Sequence, residues 1–274
     1  MQNLEKLEKS KGVVLFAFNT EAVDYVAIAD KTSKLIAHNL RLPVTLITDK
    51  NSKPEFAYNS IVRIDNTGSN HRLDLDKKLV TWRNFGRYLA YELSPYDETI
   101  LIDTDYLVLD NSLNWLFSTD FDYKLMHHNS NEAGLVYEQM GETSLPYVWA
   151  TVVLFRKTEK TRLFFNLIGR IQRNYRYYCS LFNVREGNYR NDYAFAMANI
   201  IINGYSINES QGIPWCMFTV DDKIEKLVPA DKLIKVHFEK TALVVPYQNI
   251  HVMDKKYLQS ADFAHFVETI CEST

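Results

Sequence analysis

A buried-type strand that ends in two aspartates constrains the fold of this chain more than any other feature. Residues 98–117 read ETILIDTDYLVLDNSLNWLF, and the apolar run at 99–102 delivers Asp103 and Asp105 to its carboxyl end. Residues i and i+2 of a strand point to the same side, so the two carboxylates should face one direction. Open α/β sheets bind their ligands at the carboxyl ends of strands. The segment therefore predicts an α/β fold with a ligand site beside this pair.

The Asp-x-Asp pattern alone is not specific, because it occurs three times in the chain. The copy at 74 and 76 lies in HRLDLDKK, which is typical of a solvated loop or helix start, and the copy at 120 and 122 lies in the loop-like STDFDYK. Only the pair at 103 and 105 follows a β-rich run and resumes into another at 107–109. The alternative for any such pair is a turn cap beside an exposed side chain; the strand context favours a ligand site.

Composition limits the class of protein. The chain has 274 residues, 46% hydrophobic and 24% charged, which is ordinary for a globular protein and suits one large α/β domain or two small ones. No apolar run approaches a membrane span, and residues 1–11 are too charged for a secretory signal. Three widely spaced cysteines in no metal-ligand pattern fit a cytoplasmic protein, and the net charge of −3 argues against a general polyanion binder.

Apolar periodicity predicts alternating strands and helices in the first half of the chain. Strands are expected at 13–18, 43–48 and 60–64, and helices at 21–39 and 76–93. This order predicts a mostly parallel, doubly wound, Rossmann-like sheet with helices on both faces. In the second half we expect strands at 147–156, 224–228 and 233–238 and helices at 159–178, 191–203 and 255–271. No linker or repeat interrupts the chain, so one domain is the simplest organisation.

The ordered features around the aspartates resemble those of GT-A fold glycosyltransferases, most of all the family 8 enzymes such as glycogenin and the bacterial lipopolysaccharide galactosyltransferases. The matching residues are Arg87, then LSP at 93–95, LIDTDYLVL and DNSLNWLF. The resemblance implies a single GT-A domain over 1–274, with a nucleotide-sugar-binding half at about 12–118 and an acceptor-side half at about 119–274. It also implies a retaining, metal-dependent transfer of a hexosyl or pentosyl group from a nucleotide-diphosphate sugar, with a UDP-sugar as the expected donor.

Each part of this motif has a physical purpose. Cleavage of the bond between sugar and diphosphate builds negative charge on the leaving phosphate, which a divalent cation neutralises as a Lewis acid. Carboxylate oxygens suit Mn²⁺ or Mg²⁺, so Asp103 and Asp105 are the expected metal ligands, with Thr104 between them in the nucleotide-sugar site. Arg87 would reach the phosphates or hold an aspartate in place; its alternative is a surface ion pair of little energetic value.

The resemblance implies further donor-side residues. The exit of the first strand, at Phe18, Asn19 and Thr20, matches the nucleotide loop, and Tyr25 would stack on a uracil-type base or else face the core. In family 8 a late histidine is the third metal ligand and a lysine after it contacts the phosphates. The segment LIKVHFEK offers His237 and Lys240 for these roles, although the family's Gly-x-x-Lys-Pro-Trp continuation is absent and a lone histidine is usually structural.

The acceptor side resembles the family least. Asn191 and Asp192 open a helix, where the family has an acidic Asp-Gln element; Asp192 would bind a sugar hydroxyl or act as a base, or would only favour the helix N-terminus. Trp149 would form a platform for a sugar ring or belong to the core. Five arginines alternate with tyrosines nearby and could bind a polyanionic or nucleic-acid acceptor, or form a solvated helix face: Arg170, Arg173, Arg176, Arg185 and Arg190.

Two rival interpretations remain at this point. A haloacid-dehalogenase-type phosphatase also places Asp-x-Asp after an apolar strand, and Asp221 with Asp222 could serve as its later acidic pair. That class carries the motif near the start of its core domain, whereas roughly a hundred residues of α/β structure precede it here, a soft argument. The second rival is a GT-A-like nucleotide-binding or scaffold protein whose catalytic half has decayed. The sequence does not indicate the sugar, the acceptor or the oligomeric state.

Overall fold

The structure of the protein, a computed structural model, describes residues 9–65, 68, 70–136, 145–185, 187–206 and 211–272. Most of the charged N-terminal stretch, residues 1–8, therefore lies outside the described residues, as does residue 186 of the arginine-rich segment. The strands are β1 (Lys11–Phe16), β2 (Val44–Thr48), β3 (Ser60–Arg63), β4 (Asn70–Leu73), β5 (Leu79–Trp82), β6 (Glu98–Ile102), β7 (Tyr106–Leu107), β8 (Tyr123–Met126), β9 (Asn129–Asn131), β10 (Trp149–Arg156), β11 (Met217–Val220), β12 (Lys226–Ala230), β13 (Leu233–His237), β14 (Ala242–Pro246) and β15 (Ile250–Val252). The helices are α1 (Tyr25–Leu40), α2 (Ala90–Leu93), α3 (Ser112–Leu116), α4 (Glu159–Arg173), α5 (Tyr175–Leu181), α6 (Asn191–Ile202), α7 (Lys255–Gln259) and α8 (Ala261–Glu272), and a 3-10 helix covers Asn84–Leu89.

A six-stranded sheet forms the centre of the fold, in the order β3-β2-β1-β6-β10-β8. The first four of these strands are parallel, and β10 runs antiparallel to both β6 and β8. Strand β1 is the link between the two parallel pairs, since Val13 is opposite both Val44 of β2 and Ile100 of β6. This confirms the predicted largely parallel sheet, and it places the aspartate-bearing strand β6 at the middle of it.

Helices cover both faces of this sheet, as the alternating apolar pattern requires. On one face Val13 and Leu15 of β1 pack in a cluster with Val26, Ala29 and Ile36 of α1. On the other face the neighbouring β1 residues pack with the aromatic side chains of α4 and α6. Full burial of one such side chain stabilises the fold by roughly 1.5 to 3 kcal/mol, so the two faces hold the sheet rigid beneath the strand ends.

Helix α1 begins four residues later than predicted because a side chain caps it there. The Asp24 carboxylate accepts a hydrogen bond from the backbone N–H of Ala27 at 2.9 Å, which satisfies one of the donors that a helix start leaves open. The helix ends at Arg41, whose φ of 55° is left-handed, two residues before Pro43. The loop between β1 and α1 is therefore longer than expected and is free to line a ligand site.

The C-terminal part of the chain contributes strands to two smaller sheets. One has the order β7-β15-β11-β9 and begins directly after the aspartate pair. In it β15 runs antiparallel to β7, with His251 opposite Tyr106. The other is the antiparallel sheet β12-β13-β14. The first of these sheets brings a segment about 150 residues further along the chain next to Asp105.

The helix predicted over 76–93 was wrong for most of its length. The structure has the hairpin β4-β5 here, followed by the 3-10 helix and the four-residue α2. The hairpin turn is closed by Asp74, which accepts from the N–H of Lys78 at 2.8 Å, and Lys77 has a φ of 58°. Val80 and Thr81 are β-branched residues that favour a strand once the turn has formed. The helix predicted over 159–178 is likewise interrupted at Asn174, between α4 and α5.

Candidate active site

A cavity of about 750 Å³ opens at the carboxyl end of β6, and Asp103, Thr104 and Asp105 line it. The backbone turns at the strand end, because the N–H of Tyr106 donates to the carbonyl of Asp103 at 3.1 Å. Both aspartates therefore lie in a turn after β6 and not in the strand itself, so the turn, and not strand alternation, positions them at the same cavity. The pair lies where β1 and β6 end side by side, the position at which open α/β sheets bind ligands.

Arg87 holds the first aspartate from behind. Its side chain is fully buried, and its guanidinium donates to a carboxylate oxygen of Asp103 and to the carbonyls of Ala150 and Thr151. Of the two roles considered for this arginine, the structure shows the holding of an aspartate. It sits on the 3-10 helix instead of the α-helix predicted for it. Burial raises the pKa of the Asp103 carboxyl, and the positive charge of Arg87 opposes that shift.

A lysine that the sequence interpretation missed holds the second aspartate. The Lys255 ammonium lies 2.5 Å from Asp105 Oδ2. Burial by itself would raise the pKa of the Asp105 carboxyl, but Lys255 and His251 hold it well below its ordinary range. Asp105 is therefore a carboxylate at neutral pH.

The histidine nearest the aspartates is His251, and not His237. His251 Nε2 lies 3.6 Å from Asp105 Oδ1, and its Nδ1 is 3.2 Å from the hydroxyl of Thr219. A ring nitrogen held by a second group fixes the orientation of the other nitrogen, an arrangement common among metal-binding histidines. Asp105 Oδ1 is buried and makes no hydrogen bond of normal length with the described residues; His251 Nε2 lies 3.6 Å from it.

The structure corrects the positions proposed for His237 and Lys240. His237 ends β13, which pairs with β12 and β14 in a separate sheet, and Lys240 is exposed in the turn after it. Neither residue lines the cavity. Two late strands each carry a histidine, and apolar periodicity does not show which strand pairs with β7. The signal available in the sequence was the short strand IHV at 250–252, with a lysine four residues beyond its histidine.

Residues of the loop after β1 line two neighbouring cavities, the large one and a second one of about 590 Å³. Phe18 lines both cavities, and Asn19 lines the smaller one while its side chain accepts from the N–H of Val26 at 2.9 Å. Thr20 accepts from the N–H of Val23 at 3.1 Å, which is a turn contact, and it lines neither cavity. Of the three predicted nucleotide-loop residues, two therefore face open space and one stabilises the loop.

Tyr25 lines the large cavity at the start of α1. Its hydroxyl accepts a hydrogen bond from Arg72 at 2.8 Å, and burial raises its pKa. Arg72 belongs to the β4-β5 hairpin, which sequence reasoning had placed near a helix. The hairpin forms a wall of the cavity, and Trp82 lines it as well.

The opposite wall comes from the start of α6 and the loop before it. Asp192 accepts from the N–H of Ala150 at 3.0 Å and from Arg190 at 3.1 Å, and it lines the cavity together with Asn191. The N-cap of α6 is Arg190 and not Asp192, and the side chain of Arg190 makes no capping hydrogen bond. Asn191 accepts from the hydroxyl of Tyr189 at 3.0 Å. The acidic side chain is thus held at the cavity by the backbone of β10 and by a neighbouring cation.

The arginine-rich segment does not act as a single surface. Arg185 and Arg190 line the cavity together with the tyrosines at 175 and 189, of which Tyr189 belongs to the core and Tyr175 packs against it. The other three arginines lie exposed on α4 and α5 and are not part of the cavity wall: Arg170, Arg173 and Arg176. Trp149 lines the cavity and is also packed against the core; its role as a platform for a sugar ring stays a prediction.

Asp103, Asp105 and His251 are the described residues that could hold a divalent cation at this cavity. Their chemistry fits a hard cation, because the open oxygen of Asp105 and the Nε2 of His251 face each other from 3.6 Å. Within the described part of the chain, however, no three or more His, Cys, Asp or Glu side chains form a group that could hold a metal ion.

Among the described residues no helix has the length and apolarity to cross a membrane, and the cysteines form no disulfide. No protein-family model and no curated protein sequence matches this chain. Solved structures similar to it include the glycosyltransferase GlyE of Streptococcus pneumoniae TIGR4, at 15% identity and a TM-score of 0.40 over 73% of this chain. The chain spans only 46% of the length of GlyE.

Two structures of the galactosyltransferase LgtC match over nearly the whole chain. The complex of LgtC with donor and acceptor sugar analogues is 15% identical, with a TM-score of 0.51 over 96% of this chain and 95% of LgtC. An active-site mutant of LgtC gives 15% identity and a TM-score of 0.52 over the same shares. With its largely parallel sheet, its helices on both faces and this match along its length, the chain has the GT-A fold of a glycosyltransferase.

Proposed function

We propose that this protein is a glycosyltransferase that moves a sugar from a nucleotide-diphosphate sugar, with a UDP-sugar as the expected donor, to an acceptor. The observation that carries the proposal is the pair of aspartates at the carboxyl end of β6. Each is held by a buried cation, and both face a cavity with His251. The fold shared with LgtC supports it, because that protein was solved with donor and acceptor sugar analogues. No observation favours the phosphatase alternative.

The proposal includes a bound Mn²⁺ or Mg²⁺, for which Asp103, Asp105 and His251 are the proposed protein ligands. Such a cation, when bound, stabilises negative charge on the departing diphosphate. The protein's own contribution is to hold its ligands still. Arg87 orients Asp103, Lys255 orients Asp105, and Thr219 orients the ring of His251.

For the rest of the donor, Tyr25 and Phe18 offer aromatic surface to the base, and Asn19 lines the adjoining space. Arg72 holds the hydroxyl of Tyr25, which restricts the ring to one orientation. We propose that the base lies against this wall and that the diphosphate lies toward the aspartate pair, as the positions of the two sets of residues in one cavity suggest.

On the acceptor side, Asp192 is the residue proposed to act on the sugar or the acceptor, with Asn191 beside it. It binds a sugar hydroxyl or takes the proton of the acceptor hydroxyl. The resemblance to family 8 leads us to propose retention of the anomeric configuration, which proton NMR of the product would show directly. Arg185 and Arg190 at the cavity favour an acceptor that carries negative charge. The proposed site of action is the cytoplasm.

Calorimetry with UDP tests the donor half of this proposal. We expect UDP to bind more tightly with Mn²⁺ than with EDTA, and Asp103→Asn and Asp105→Asn to remove that difference. The control is Asp120→Asn, which changes an Asp-x-Asp copy whose side chain is fully exposed and should leave UDP binding unchanged. Equal UDP affinity in Mn²⁺ and EDTA for the unmodified protein would contradict the metal-diphosphate site.

A screen of nucleotide sugars for hydrolysis without acceptor tests the enzymatic half. We expect at least one donor to be hydrolysed, at a rate that falls about 10²- to 10³-fold in Asp103→Asn, the loss typical when one group that stabilises developing charge is removed. Metal-dependent UDP binding without turnover of any donor would instead support the decayed scaffold protein.

A further inference from the structure

Helices α4 and α5 carry a concentration of positive charge that the cavity does not use. Between Glu159 and Glu186 the chain has six basic residues and no acidic one, although its formal net charge is −3. Three of the six are exposed on these helices and lie outside the cavity wall: Arg170, Arg173 and Arg176. The protein therefore has a local positive surface that its overall charge does not reveal.

Apolar and aromatic side chains are exposed beside these arginines. Tyr177 and Leu181 are 64% and 52% exposed, and they lie on one face of α5 because they are four residues apart. Tyr205, which follows α6, is 66% exposed, and its ring stacks on that of Phe182 with the ring centroids 6.3 Å apart. Phe182 directly follows α5, so Tyr205 lies next to the same helix. We call this region the α4–α5 surface and define it by six residues: Arg170, Arg173, Arg176, Tyr177, Leu181 and Tyr205.

Helix stability explains only part of the α4–α5 surface. Arg170 and Arg173 lie in the last turn of α4, where positive charge favours the free carbonyls of the helix end. This role does not account for the apolar side chains, each more than half exposed, on the adjoining helix. Single exposed apolar residues are common, whereas a group of them beside positive charges marks an interaction surface. The partner must therefore supply both negative charge and an apolar environment.

We propose that the α4–α5 surface docks this protein on an anionic lipid bilayer. Lipid phosphates and carboxylates attract the arginines, tyrosine rings are suited to the level of the head groups, and Leu181 can enter the edge of the acyl region. A nucleic acid would satisfy the arginines and the rings but would offer no apolar environment to Leu181. None of the six residues lines the cavity, so the inference is independent of the proposed function. Since Tyr175 at the start of α5 does line it, docking would bring the cavity near molecules held in the same membrane.

The proposed docking concerns only the surface of the bilayer. It needs the exposed side chains of α4 and α5 and no spanning helix. Its strength depends on salt, because the attraction between exposed charges is screened within about 10 Å at moderate ionic strength.

Cosedimentation of the full chain with lipid vesicles tests the docking. We expect vesicles of phosphatidylcholine and phosphatidylserine, mixed at roughly two to one, to bind the protein at least about tenfold more tightly than vesicles of phosphatidylcholine alone. Added NaCl should weaken binding to the mixed vesicles. Absence of binding to the mixed vesicles, or equal binding to the two kinds, would overturn the proposal. Because no sugar donor takes part, this result does not depend on the outcome of the UDP titrations.

The double variant Arg170→Gln, Arg173→Gln tests the charged part of the surface. We expect it to bind the mixed vesicles about 30-fold more weakly, since each arginine near an anionic surface contributes roughly a factor of five. The matched control is Lys235→Gln, Lys240→Gln, which removes two exposed positive charges from β13 and the turn after it. Equal weakening by the two double variants would show that binding follows net charge alone and would overturn the assignment to α4 and α5. Melting temperatures check that each variant is folded.

Leu181→Ser tests the apolar part and distinguishes a membrane from a soluble polyanion. We expect binding to the mixed vesicles to fall about tenfold, because the apolar side chain no longer leaves water on docking. Leu233→Ser, at another exposed leucine on β13, is the control and should bind as the unmodified protein does. Unchanged vesicle binding by Leu181→Ser, together with weakened binding by the arginine variant, would show that the surface recognises negative charge alone. That outcome would fit a nucleic acid or another soluble polyanion and would overturn the membrane proposal.

Discussion

The two parts of the cavity that we propose as the donor side and the acceptor side hold their charged groups in different ways. On the donor side, Asp103 and Asp105 are paired with Arg87 and Lys255, which are 1% and 10% exposed. On the acceptor side, the charged groups sit at the surface, and the ion pair between Arg190 and Asp192 is formed by side chains that are 51% and 21% exposed. The first arrangement is rigid and weakly screened by salt, whereas the second is open to solvent and can adapt.

For the proposed transferase, this contrast separates two tasks. A diphosphate and its cation have one geometry, so groups fixed by a buried framework are suited to bind them. An acceptor approaches from solvent and must leave again, and loops with exposed side chains serve that step. The difference also predicts which substitutions act on folding and which act on the reaction.

The largest effect is expected from Arg87→Met. Removal of the guanidinium leaves Asp103 beside two carbonyls with no compensating charge, and the loss of one partner from a buried pair costs about 3 to 5 kcal/mol of the free energy of unfolding. Chemical denaturation followed by fluorescence measures it. The control is Arg162→Met, which breaks the exposed pair with Glu159 and should cost only about 0.5 kcal/mol. Similar losses for the two variants would show that the pair of Arg87 and Asp103 contributes no more to the free energy of unfolding than an exposed ion pair does.

A kinetic effect of intermediate size is expected from Asp192→Asn. If this carboxylate serves the reaction, kcat falls by about 10²- to 10⁴-fold while calorimetry shows unchanged UDP binding. Asp262→Asn is the matched control, because Asp262 also lies in the first turn of a helix, α8, but is exposed away from the cavity. The contrary outcome is an unchanged kcat with a loss of only about 0.3 to 1 kcal/mol in the free energy of unfolding for both variants. It would show that Asp192 only stabilises the N-terminus of its helix.

The smallest effect is expected at the exposed rim. Arg185→Gln should weaken the binding of a heparin oligosaccharide, used as a probe for an anionic acceptor, by a few-fold, because one exposed charge contributes little to affinity. Arg170→Gln is the comparison, since this arginine is exposed on α4 outside the cavity wall. A larger loss for Arg170→Gln would place the polyanion on the helices and contradict an anionic acceptor in the cavity.

The sequence predicted the part of the site that is local in the chain. The apolar run indicated where β6 ends, and the turn directly after that strand holds both aspartates at the cavity. The same holds for Tyr25 and Asp192, which the starts of α1 and α6 bring to the cavity. The first half of the sheet also followed from its apolar runs, within one or two residues at each end.

Two of the errors concern segments whose partner is distant in the chain, whereas the late start of α1 and the break at Asn174 are local. His237 and His251 each belong to a short late strand, and only the pairing of β15 with β7 selects the second. The β4-β5 hairpin has charged and apolar residues at spacings that also suit a helix, and its contacts with Tyr25 and with the loop at 188–189 stabilise it as a wall of the cavity. Neither contact can be predicted from the spacing of apolar residues within the hairpin.

The sequence by itself determined that a largely parallel α/β sheet would carry two aspartates at the end of its central strand, because apolar alternation and strand geometry are local properties. The tertiary structure decided what surrounds them: which histidine faces Asp105, that Arg87 lies behind Asp103, and that Lys255 lies beside Asp105. The reason is physical, since burial and ion pairing depend on which distant segments meet, and these two determine the charge that the pair of carboxylates presents to the cavity.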